Sequence, residues 1–490
     1  MSQPDTKTAT FFGQPRGLGT LFFTEMWERF TYYGMRSVLI LFLVAPIAGG
    51  GLGFDDQTAS CIYGLYISAT YVFSLLGGWI ADRLIGPRRA VMAGAVFILV
   101  GNAMLTIGRP SVFFCGLLVI VLGVGLLKPN VSAMVAQLYP DGGSRRDAGF
   151  SIFYMGISVG ALLGSVLAPL CAVHFGWHVA FSLASIGMAI GLCYFVATRG
   201  RLADVDASPI VRASPRLWLP VLAFLMGVIL IVTLCIGGQI HLDPKAMATA
   251  ASWLIGLFAL GYFLYLLTAA GLTSEERQRV WVMIVLFAAY ALFYAGFEQG
   301  GASLNLFAER YTNRQVLGWT IPAGILQGTT ALYTILLAPA FAALWIALGK
   351  RGRDPSPALK FAAGLALLSL GTLIMVFASN IVVSGHKVLP TWLLATYLFQ
   401  ECGDLCLSPV GLSSMTKLAP RKFVGQVMGL WFLALALGNN LAGQLSREYD
   451  AGNLHSLPAL FLKIAGWTLA AAVVLGLLSP RLNRLMKGAA

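Results

Sequence analysis

Ionisable side chains inside an apolar segment are the part of this sequence best suited to chemistry. The segment from Leu18 to Val44 is apolar enough to cross a bilayer, yet its middle reads TEMWERFTYYGMR. An ionised group at the centre of a spanning helix costs about 2.5–3.5 kcal/mol, whereas a Leu or Phe returns only about 0.3–0.6 kcal/mol. Spacings of three or four place six polar side chains on one helical stripe, which predicts the wall of a polar cavity: Glu25, Glu28, Arg29, Tyr32, Tyr33 and Arg36. The structural alternative is an i,i+4 pair, Glu25 with Arg29, that neutralises itself.

The rest of the chain supplies the elements that would hold such a stripe in a membrane. Of its 490 residues, 58% are hydrophobic and 11% are charged, which predicts a polytopic membrane protein rather than a soluble one. Apolar segments long enough to span predict fourteen helices. Their expected positions are 17–45, 57–81, 89–107, 111–138, 148–174, 177–198, 216–237, 248–270, 280–307, 316–348, 357–382, 389–418, 422–445 and 457–480.

The net charge of +13 reports topology rather than an affinity for nucleic acid. With the N-terminus inside, alternate loops collect most of the basic residues, so the positive-inside rule predicts that both termini are cytoplasmic. The N-terminal segment shows no cleavable signal-peptide pattern, so the first span is expected to direct insertion. The basic residues on the predicted inner side are Arg83, Arg88, Arg89, Arg145, Arg146, Arg199, Arg201, Arg212, Arg277, Arg279, Lys350, Arg351, Arg353, Lys417, Arg421, Lys422, Arg481, Arg484 and Lys487.

Metal and enzyme chemistry find little support in the sequence. The seven cysteines form no metal-ligand spacing, and the five histidines fall near the predicted outer ends of the spans. There is no His-Glu metal motif, nucleophile elbow or phosphate loop. We therefore expect no metal, no cofactor and no enzymatic activity. Proton transfer inside the membrane would have to use carboxylates.

The first span resembles the ExxER signature of the proton-dependent oligopeptide transporters, a branch of the major facilitator superfamily, because Glu25-x-x-Glu28-Arg29 is followed by YYGMR. The loop GGWIADRLIGPRR resembles the superfamily's cytoplasmic loop after span two. GLLKPN around Lys128 and FYMGIS from Phe153 resemble two further family motifs, and so do FYAGFEQ from Phe293 and GDLCLSP from Gly403. The chain departs from the family pattern at four positions: Ser158 and Thr330 replace asparagines, Tyr294 a tryptophan and Asp404 a glutamate.

The resemblance implies an all-α integral membrane protein with the major facilitator fold: two six-helix bundles with two extra helices between them, fourteen transmembrane helices in all. The expected domains are an N-terminal six-helix bundle at 1–199, a cytoplasmic linker with the two extra helices at 200–279, and a C-terminal six-helix bundle at 280–490. The extra helices carry no embedded charge and are assigned no role in the chemistry.

The implied function is proton-coupled import of di- and tripeptides by alternating access, in a multi-pass protein of the cell inner (plasma) membrane that works as a monomer. Proton coupling is expected from Glu25, Glu28, Arg29, Lys128 and Glu298. Substrate binding is expected from Tyr33, Arg36, Tyr71, Lys128, Tyr154, Ser158, Tyr294, Glu298, Gln327, Thr330, Asp404, Ser408 and Trp431. The resemblance also implies two gating pairs, Arg36 with Glu298 and Lys128 with Asp404.

The charge inventory agrees with this function. Within the predicted spans five acids face three bases, so some acids can be neutral when the site closes, as a proton-coupled carrier requires. Glu401 is an additional acid one turn from Asp404, either a second site or a group near a polar helix surface. The alternatives are a carrier of a non-peptide solute (a small organic anion, nitrate or a drug) on the same fold, a drug exporter, and an integral-membrane enzyme.

Overall fold

The chain is almost entirely helical. The computed structural model describes residues 11–139, 143–202, 205, 215–316, 318–449 and 452–486. Arg212, Lys487 and most of the predicted linker lie outside these residues, and so does the side chain of Arg421. The α-helices are α1 Arg16–Val44, α2 Asp56–Ile80, α3 Pro87–Leu105, α4 Pro110–Gln137, α5 Gly143–Phe175, α6 Trp177–Thr198, α7 Pro215–Ile236, α8 Pro244–Thr268, α9 Ser274–Phe297, α10 Ser303–Tyr311, α11 Ala323–Lys350, α12 Pro357–Val383, α13 Thr391–Leu418, α14 Val424–Leu445 and α15 Ser456–Met486.

Short irregular elements complete the described chain. Five 3₁₀ turns cover Ile47–Gly49, Arg199–Leu202, Glu298–Gly301, Arg421–Phe423 and Ser446–Glu448, and a π-helical turn covers Ala81–Ile85. Strands β1 Gln315–Val316 and β2 Trp319–Thr320 pair antiparallel.

Helix starts follow local chemistry. Helices α3, α4, α8 and α12 begin with a proline, whose fixed φ fits the first turn and whose missing N–H would have had no partner there. Helix α9 begins with a capping box in which Thr273 and Glu276 each accept from the other's backbone N–H. Ahead of α2, Asp55 accepts from the Thr58 N–H at 2.9 Å and lies 3.4 Å from Lys245. Burial alone would raise the pKa of Asp55, but the Thr58 hydrogen bonds and the Lys245 charge outweigh it and lower that pKa.

The predicted fold class is confirmed. Fourteen of the described helices are 19 residues or longer, and twelve of them are apolar enough to cross a membrane by length and composition. The other two, α1 and α13, contain the ionisable groups noted above, which lower their mean hydropathy. Most of the spans lie within a few residues of their expected positions.

Two predicted spans need correction. The span expected at 280–307 is broken, because Glu298–Gly301 forms a 3₁₀ turn and α10 begins only at Ser303. The span expected at 316–348 begins seven residues later, at Ala323. A hairpin of β1 and β2 turns at Gly318, whose φ of +80° favours glycine, and Pro322 then precedes the helix.

The chain forms two compact units. Unit 1 consists of Met1–Met35 and Phe73–His241, and unit 2 consists of Arg36–Val72 and Leu242–Ala490. In unit 1, α3 packs against α4 and α6, and α5 packs against α6. In unit 2, α12 packs between α13 and α15, while α14 packs against α9 and α8. The predicted domain limits stay predictions.

Among the extra helices, α8 is fixed to its unit by hydrogen bonds. The side-chain amides of Asn440 and Gln444 on α14 donate to the Ala248 carbonyl at 2.6 and 3.1 Å and to the Ser252 hydroxyl at 2.8 and 2.6 Å. By contrast, none of Leu217–Ile236 on α7 is buried inside the chain. Those exposed apolar side chains suit a helix that faces lipid.

Candidate functional site

In unit 1 the acidic and basic groups of α1 form a buried cluster. Arg29 Nε lies 3.1 Å from Glu25 Oε1 and also binds Glu28 Oε2, and all three residues are at most 4% exposed. The guanidinium lies 4.9 Å from the centre of the Tyr32 ring, close enough for a cation–π contact. Two carboxylates therefore share one arginine, so one proton can be added without leaving a bare charge.

Close packing of α1 against α5 fixes this cluster. A Cβ at Gly160 would overlap the Met26 carbonyl, and one at Gly164 would overlap the Phe30 carbonyl. Phe22, Phe30 and Met35 are buried as well. The face of α1 expected to meet lipid or neighbouring helices therefore packs largely on protein.

Lys128 lies on α4, beside Pro129 within the helix. It is half-buried and lies within electrostatic range of Glu25. The neighbouring Asn130 donates to the Leu126 carbonyl at 2.7 Å, so its side chain stabilises its own helix. The structure thus brings the lysine of α4 into the same unit and near the same acids as the α1 cluster.

The other predicted site residues of unit 1 are accessible. Tyr33 and Ser158 are half-buried, and Tyr154 is 54% exposed. Tyr154 lies within electrostatic range of Glu25. These groups can meet a solute without displacing packed core.

In unit 2 the last arginine of the stripe binds the acid of FYAGFEQ. Arg36 Nη2 lies 3.0 Å from Glu298 Oε2, and both residues are at most 6% exposed. Arg36 Nε also donates to the Tyr63 hydroxyl at 3.1 Å. Removing one member of a buried ion pair leaves an uncompensated charge and costs about 3–5 kcal/mol. Protonating Glu298 would have the same kind of effect on Arg36.

Glu298 occupies this position because α9 ends one residue before it. The side chain of the following residue, Gln299, forms hydrogen bonds across the helix break. Its amide donates to the Ala295 and Ala442 carbonyls, each at 3.1 Å, and its oxygen accepts from the Ser303 and Ser446 hydroxyls. Irregular backbone at membrane depth requires internal partners of this kind.

Two glycines of this turn admit the neighbouring side chains. A Cβ at Gly301 would overlap the Tyr63 hydroxyl and lie 3.0 Å from Gln327 Nε2, whereas one at Gly300 would meet nothing closer than 3.6 Å, the ring of Tyr397. Gln327 is 3% exposed, and neither polar atom of its side chain has a hydrogen-bond partner within the described residues. An unsatisfied buried amide beside Arg36 and Glu298 is a group that a solute could satisfy.

A second cluster of unit 2 surrounds the acid of GDLCLSP. Asp404 Oδ1 accepts from Tyr294 at 3.1 Å and from Ser408, and Tyr290 lies 3.1 Å from the Ser408 hydroxyl. The Trp431 ring stacks on Tyr290 at 3.6 Å. Tyr71 lies within electrostatic range of Tyr290 and Tyr294. The predicted residues Tyr71, Tyr294, Asp404, Ser408 and Trp431 therefore converge.

Glu401 lies one turn before Asp404 and is 4% exposed. Its Oε1 lies 2.6 Å from the Thr334 hydroxyl of α11. Thr330, a predicted binding residue, donates to the Gln327 carbonyl at 2.9 Å and is half-buried. Its hydroxyl thus serves its own helix in this structure.

Sequence reasoning missed Tyr63, Tyr290, Tyr397 and Thr334. Two of them had a usable signal: Tyr290 precedes Tyr294 by four, and Tyr397, Glu401, Asp404 and Ser408 follow each other at spacings of four, three and four. Tyr63 and Thr334 are single polar residues in apolar helices, and only the packing of α2 and α11 identifies their partners.

Within the described residues, no candidate metal site and no residue lining the cavity described below belongs to these clusters. Within the described residues there is no group of three or more His, Cys, Asp or Glu that could hold a metal ion. A cavity of about 520 Å³ in unit 2 is lined by residues of α9, α14 and α15, Gln57 and the turn after α14. None of the predicted site residues lines it, so it has no evident link to the buried ion pairs.

Comparisons with known proteins give the family. Residues 88–457 match the model of the POT family. The chain is 39% identical to the peptide transporter YePEPT of Yersinia enterocolitica subsp. palearctica, over 97% of this chain and 96% of that protein. It is 35% identical to a di-/tripeptide transporter of Lactococcus lactis subsp. lactis, over 90% and 91%.

Solved structures agree. The chain resembles a peptide transporter POT in complex with sulfate with a TM-score of 0.91 and 39% identity, covering 98% of this chain and 97% of that one. It resembles a POT family transporter in complex with 5-aminolevulinic acid with a TM-score of 0.89 and 32% identity, covering 96% and 98%. The prediction of a multi-pass membrane transporter rather than an enzyme is confirmed. With its ExxER cluster, its Arg36–Glu298 pair and these matches along most of its length, the chain belongs to the POT family of transporters.

Proposed function

We propose that this protein is a proton-coupled symporter that imports di- and tripeptides by alternating access. The buried Arg36–Glu298 pair is the observation that carries the proposal, because a proton on Glu298 would change the partner of a buried arginine. A zwitterionic peptide offers an ammonium group for an acid such as Glu298 or Asp404. Its carboxylate suits Arg36 or Lys128.

The coupling follows from these contacts. When Glu298 is ionised it pairs with Arg36, and when Glu298 is protonated Arg36 can pair with the substrate carboxylate instead. In unit 1, Arg29 pairs with both Glu25 and Glu28, so a proton on either acid would change a second ion pair. Lys128 lies within electrostatic range of Glu25. This cluster links proton release to inward opening. The pair of Lys128 with Asp404 joins residues of different units and stays a prediction.

The setting and partners complete the proposal. The protein resides in the cell inner (plasma) membrane as a monomer with both termini cytoplasmic, as the distribution of arginine and lysine favours. Protons are the coupling ion, and no cofactor takes part. The protein is surrounded by the lipid bilayer, which the exposed apolar side chains of α7 support.

Uptake of labelled dialanine into proteoliposomes tests the function. With an acidic outside and a negative interior, we expect accumulation that a protonophore abolishes. Folded protein that binds or exchanges no peptide under these conditions would refute peptide symport.

Glu298→Gln tests the coupling, because glutamine imitates the protonated acid without changing its size. We expect counterflow of dialanine to persist and gradient-driven accumulation to fall to the level seen with a protonophore. Glu275→Gln, at an exposed acid near the start of α9, is the matched control and should behave as the wild type does. Undiminished accumulation in Glu298→Gln would contradict the assigned role.

A non-peptide solute is the second candidate. A POT family transporter 32% identical to this chain has been solved in complex with 5-aminolevulinic acid, a molecule with an amine at one end and a carboxylate at the other. Ser158, Tyr294, Thr330 and Asp404 depart from the family pattern and would alter the fit to a peptide. Competition of unlabelled 5-aminolevulinic acid, nitrate and small organic anions against dialanine would rank the two.

A further inference from the structure

The cavity of unit 2 combines apolar side chains of three long helices with the charged turn after α14. Its volume of about 520 Å³ is within the range of pockets that hold small molecules in proteins. Its apolar lining comes from α9, α14 and α15 and includes Leu292, Leu441 and Trp467. Its polar lining includes Gln57, near the start of α2, and the turn after α14. The cavity therefore suits a ligand that has both an apolar and a polar part.

Most polar side chains of this lining already have partners in the protein. Gln57 accepts from Lys245 Nζ at 3.1 Å, and Glu448 binds Lys463. The side-chain nitrogen of Gln444 donates to two groups of α8, so both of its hydrogens are used. These contacts hold the polar side chains in position around the cavity.

Arg447 is the exception in this lining. It is half-buried, and within the described residues its guanidinium forms neither an ion pair nor a hydrogen bond. The charges of Arg447, Asp55 and Asp243 all reach Cys61 of α2, so these groups lie at one end of unit 2. Both acids are engaged elsewhere, because Asp55 lies 3.4 Å from Lys245 and Asp243 caps the N-terminus of α8. A guanidinium whose donors match phosphate geometry thus borders an apolar space with no protein anion bound to it.

Trp467 connects the cavity with a surface that suits lipid. On α15, Trp467, Val474 and Leu477 recur at spacings of seven and three, so they lie on one face of the helix. They are 47, 55 and 75% exposed, and α15 is long and apolar enough to cross a membrane. Lys463 lies 5.0 Å from the centre of the Trp467 ring, and such pairs of tryptophan and a base are typical of the membrane–water interface. We call the three exposed side chains the α15 stripe.

We propose that this cavity binds an anionic phospholipid of the bilayer, with its phosphate on Arg447 and its acyl chains beside Trp467 and along the α15 stripe. A water-soluble phosphate would gain nothing from the apolar lining, and a zwitterionic lipid would bring a second cation to Arg447. The predicted topology places this end of α14 outside, so the lipid would belong to the outer leaflet. This site is separate from the residues assigned to peptide and proton.

The cavity also adjoins the break between α9 and α10. Ala295 lines it, and the Ala295 carbonyl is one of the two that accept from the Gln299 amide. The other belongs to Ala442, which lies between the lining residues Leu441 and Gln444 on α14. A bound lipid would therefore lie against residues that stabilise the break, and we expect it to raise the Tm of the protein.

Native mass spectrometry of the delipidated full-length transporter, titrated with phosphatidylglycerol, tests the site. We expect Arg447→Gln to weaken the tightest binding event about tenfold, because a hydrogen bond to a charged group is worth at least that factor. Leu292→Trp should weaken it as well, since the larger ring fills part of the apolar lining. Arg109→Gln removes an exposed arginine of unit 1 and is the matched control, which should bind as the wild type does. Affinities of Arg447→Gln and Leu292→Trp equal to that of the wild type would overturn the proposal.

Two further probes decide the occupant. Phosphatidylethanolamine with the same acyl chains should bind more weakly than phosphatidylglycerol, and equal binding would contradict an anionic occupant. Glycerol 3-phosphate has the phosphate without the chains and should neither bind nor raise the Tm. Binding of glycerol 3-phosphate that Arg447→Gln abolishes would assign the cavity to a soluble phosphate instead of a lipid. None of these measurements involves transport, so peptide symport can fail while the lipid site stands, and the reverse.

Discussion

Substituting Gly301 by alanine should release the buried arginine from one of its partners. The added methyl group would overlap the Tyr63 hydroxyl and approach Gln327 Nε2 to 3.0 Å. Both neighbours are at most 3% exposed, so neither has free space to enter. Tyr63 would have to move away from Arg36, whose Nε donates to it at 3.1 Å.

The cost has two parts. Overpacking a well-packed core costs about 1–3 kcal/mol. The loss of a hydrogen bond to a charged group costs about 1.5–3 kcal/mol. The lower limits together give about 2.5 kcal/mol, which is more than tenfold in an equilibrium constant. We therefore expect a lower Tm in detergent and weaker gradient-driven dialanine uptake, because Arg36 and Glu298 lose their alignment.

Gly300→Ala is the matched control. It lies in the same 3₁₀ turn, but its methyl group would meet nothing closer than 3.6 Å. A double variant with Tyr63→Leu should recover part of the loss caused by Gly301→Ala, since the overlapping ring is gone. If the two alanine variants have the same Tm and the same uptake, the packing argument is wrong.

Three further predictions concern single contacts. Tyr294→Phe removes a donor to Asp404 and should raise the KM for dialanine about tenfold, as a charge-assisted hydrogen bond is worth about 1.5–3 kcal/mol; an unchanged KM would contradict a substrate role for this acid. Thr273→Ala breaks the capping box of α9 and should lower the stability by about 0.5–2 kcal/mol, measured as Tm, with the KM unaltered. Asp55→Asn should lower Tm slightly at neutral pH, because the pKa of Asp55 lies below its ordinary 3.8 and folding therefore stabilises its ionised form. The Tm difference between the wild type and Asp55→Asn should disappear only as the pH falls below 3.8.

Much of the fold could be predicted because membrane spans have a strong signal. A run of about twenty apolar residues has few alternatives in a bilayer, so the limits of helices such as α6 and α12 were expected almost to the residue. The break after α9 was missed because Glu298, Gln299 and the two glycines after them were interpreted as a site motif inside one continuous span. The break is stabilised by hydrogen-bond partners of Gln299 that lie on α14 and in the turn after it. Partners so distant in the chain cannot be recognised from the sequence around Gln299.

Site residues could be predicted from the sequence where they carry a charge, but not where a hydroxyl is their only polar group. Arg36, Glu298 and Asp404 were identified because ionisable groups are rare and costly in a span. Tyr63 and Thr334 look like ordinary packing residues in the sequence, and their roles depend on which helix lies opposite. Glu401 was seen as an extra acid, but the Thr334 hydroxyl that donates to it was found only in the structure.

The four contacts of Gln299 also have a mechanical meaning. A glycine-containing helix break is often treated as a pivot, but here one amide ties the carbonyl end of α9 to the first residue of α10 and to α14. These hydrogen bonds restrict bending at the joint, so we expect α9 and α10 to move together. The far end of α10 holds Arg310, which binds Asp56 through both guanidinium nitrogens at 2.6 and 2.7 Å. We therefore expect that a displacement of Glu298 on protonation would also move Arg310 and, through it, the start of α2.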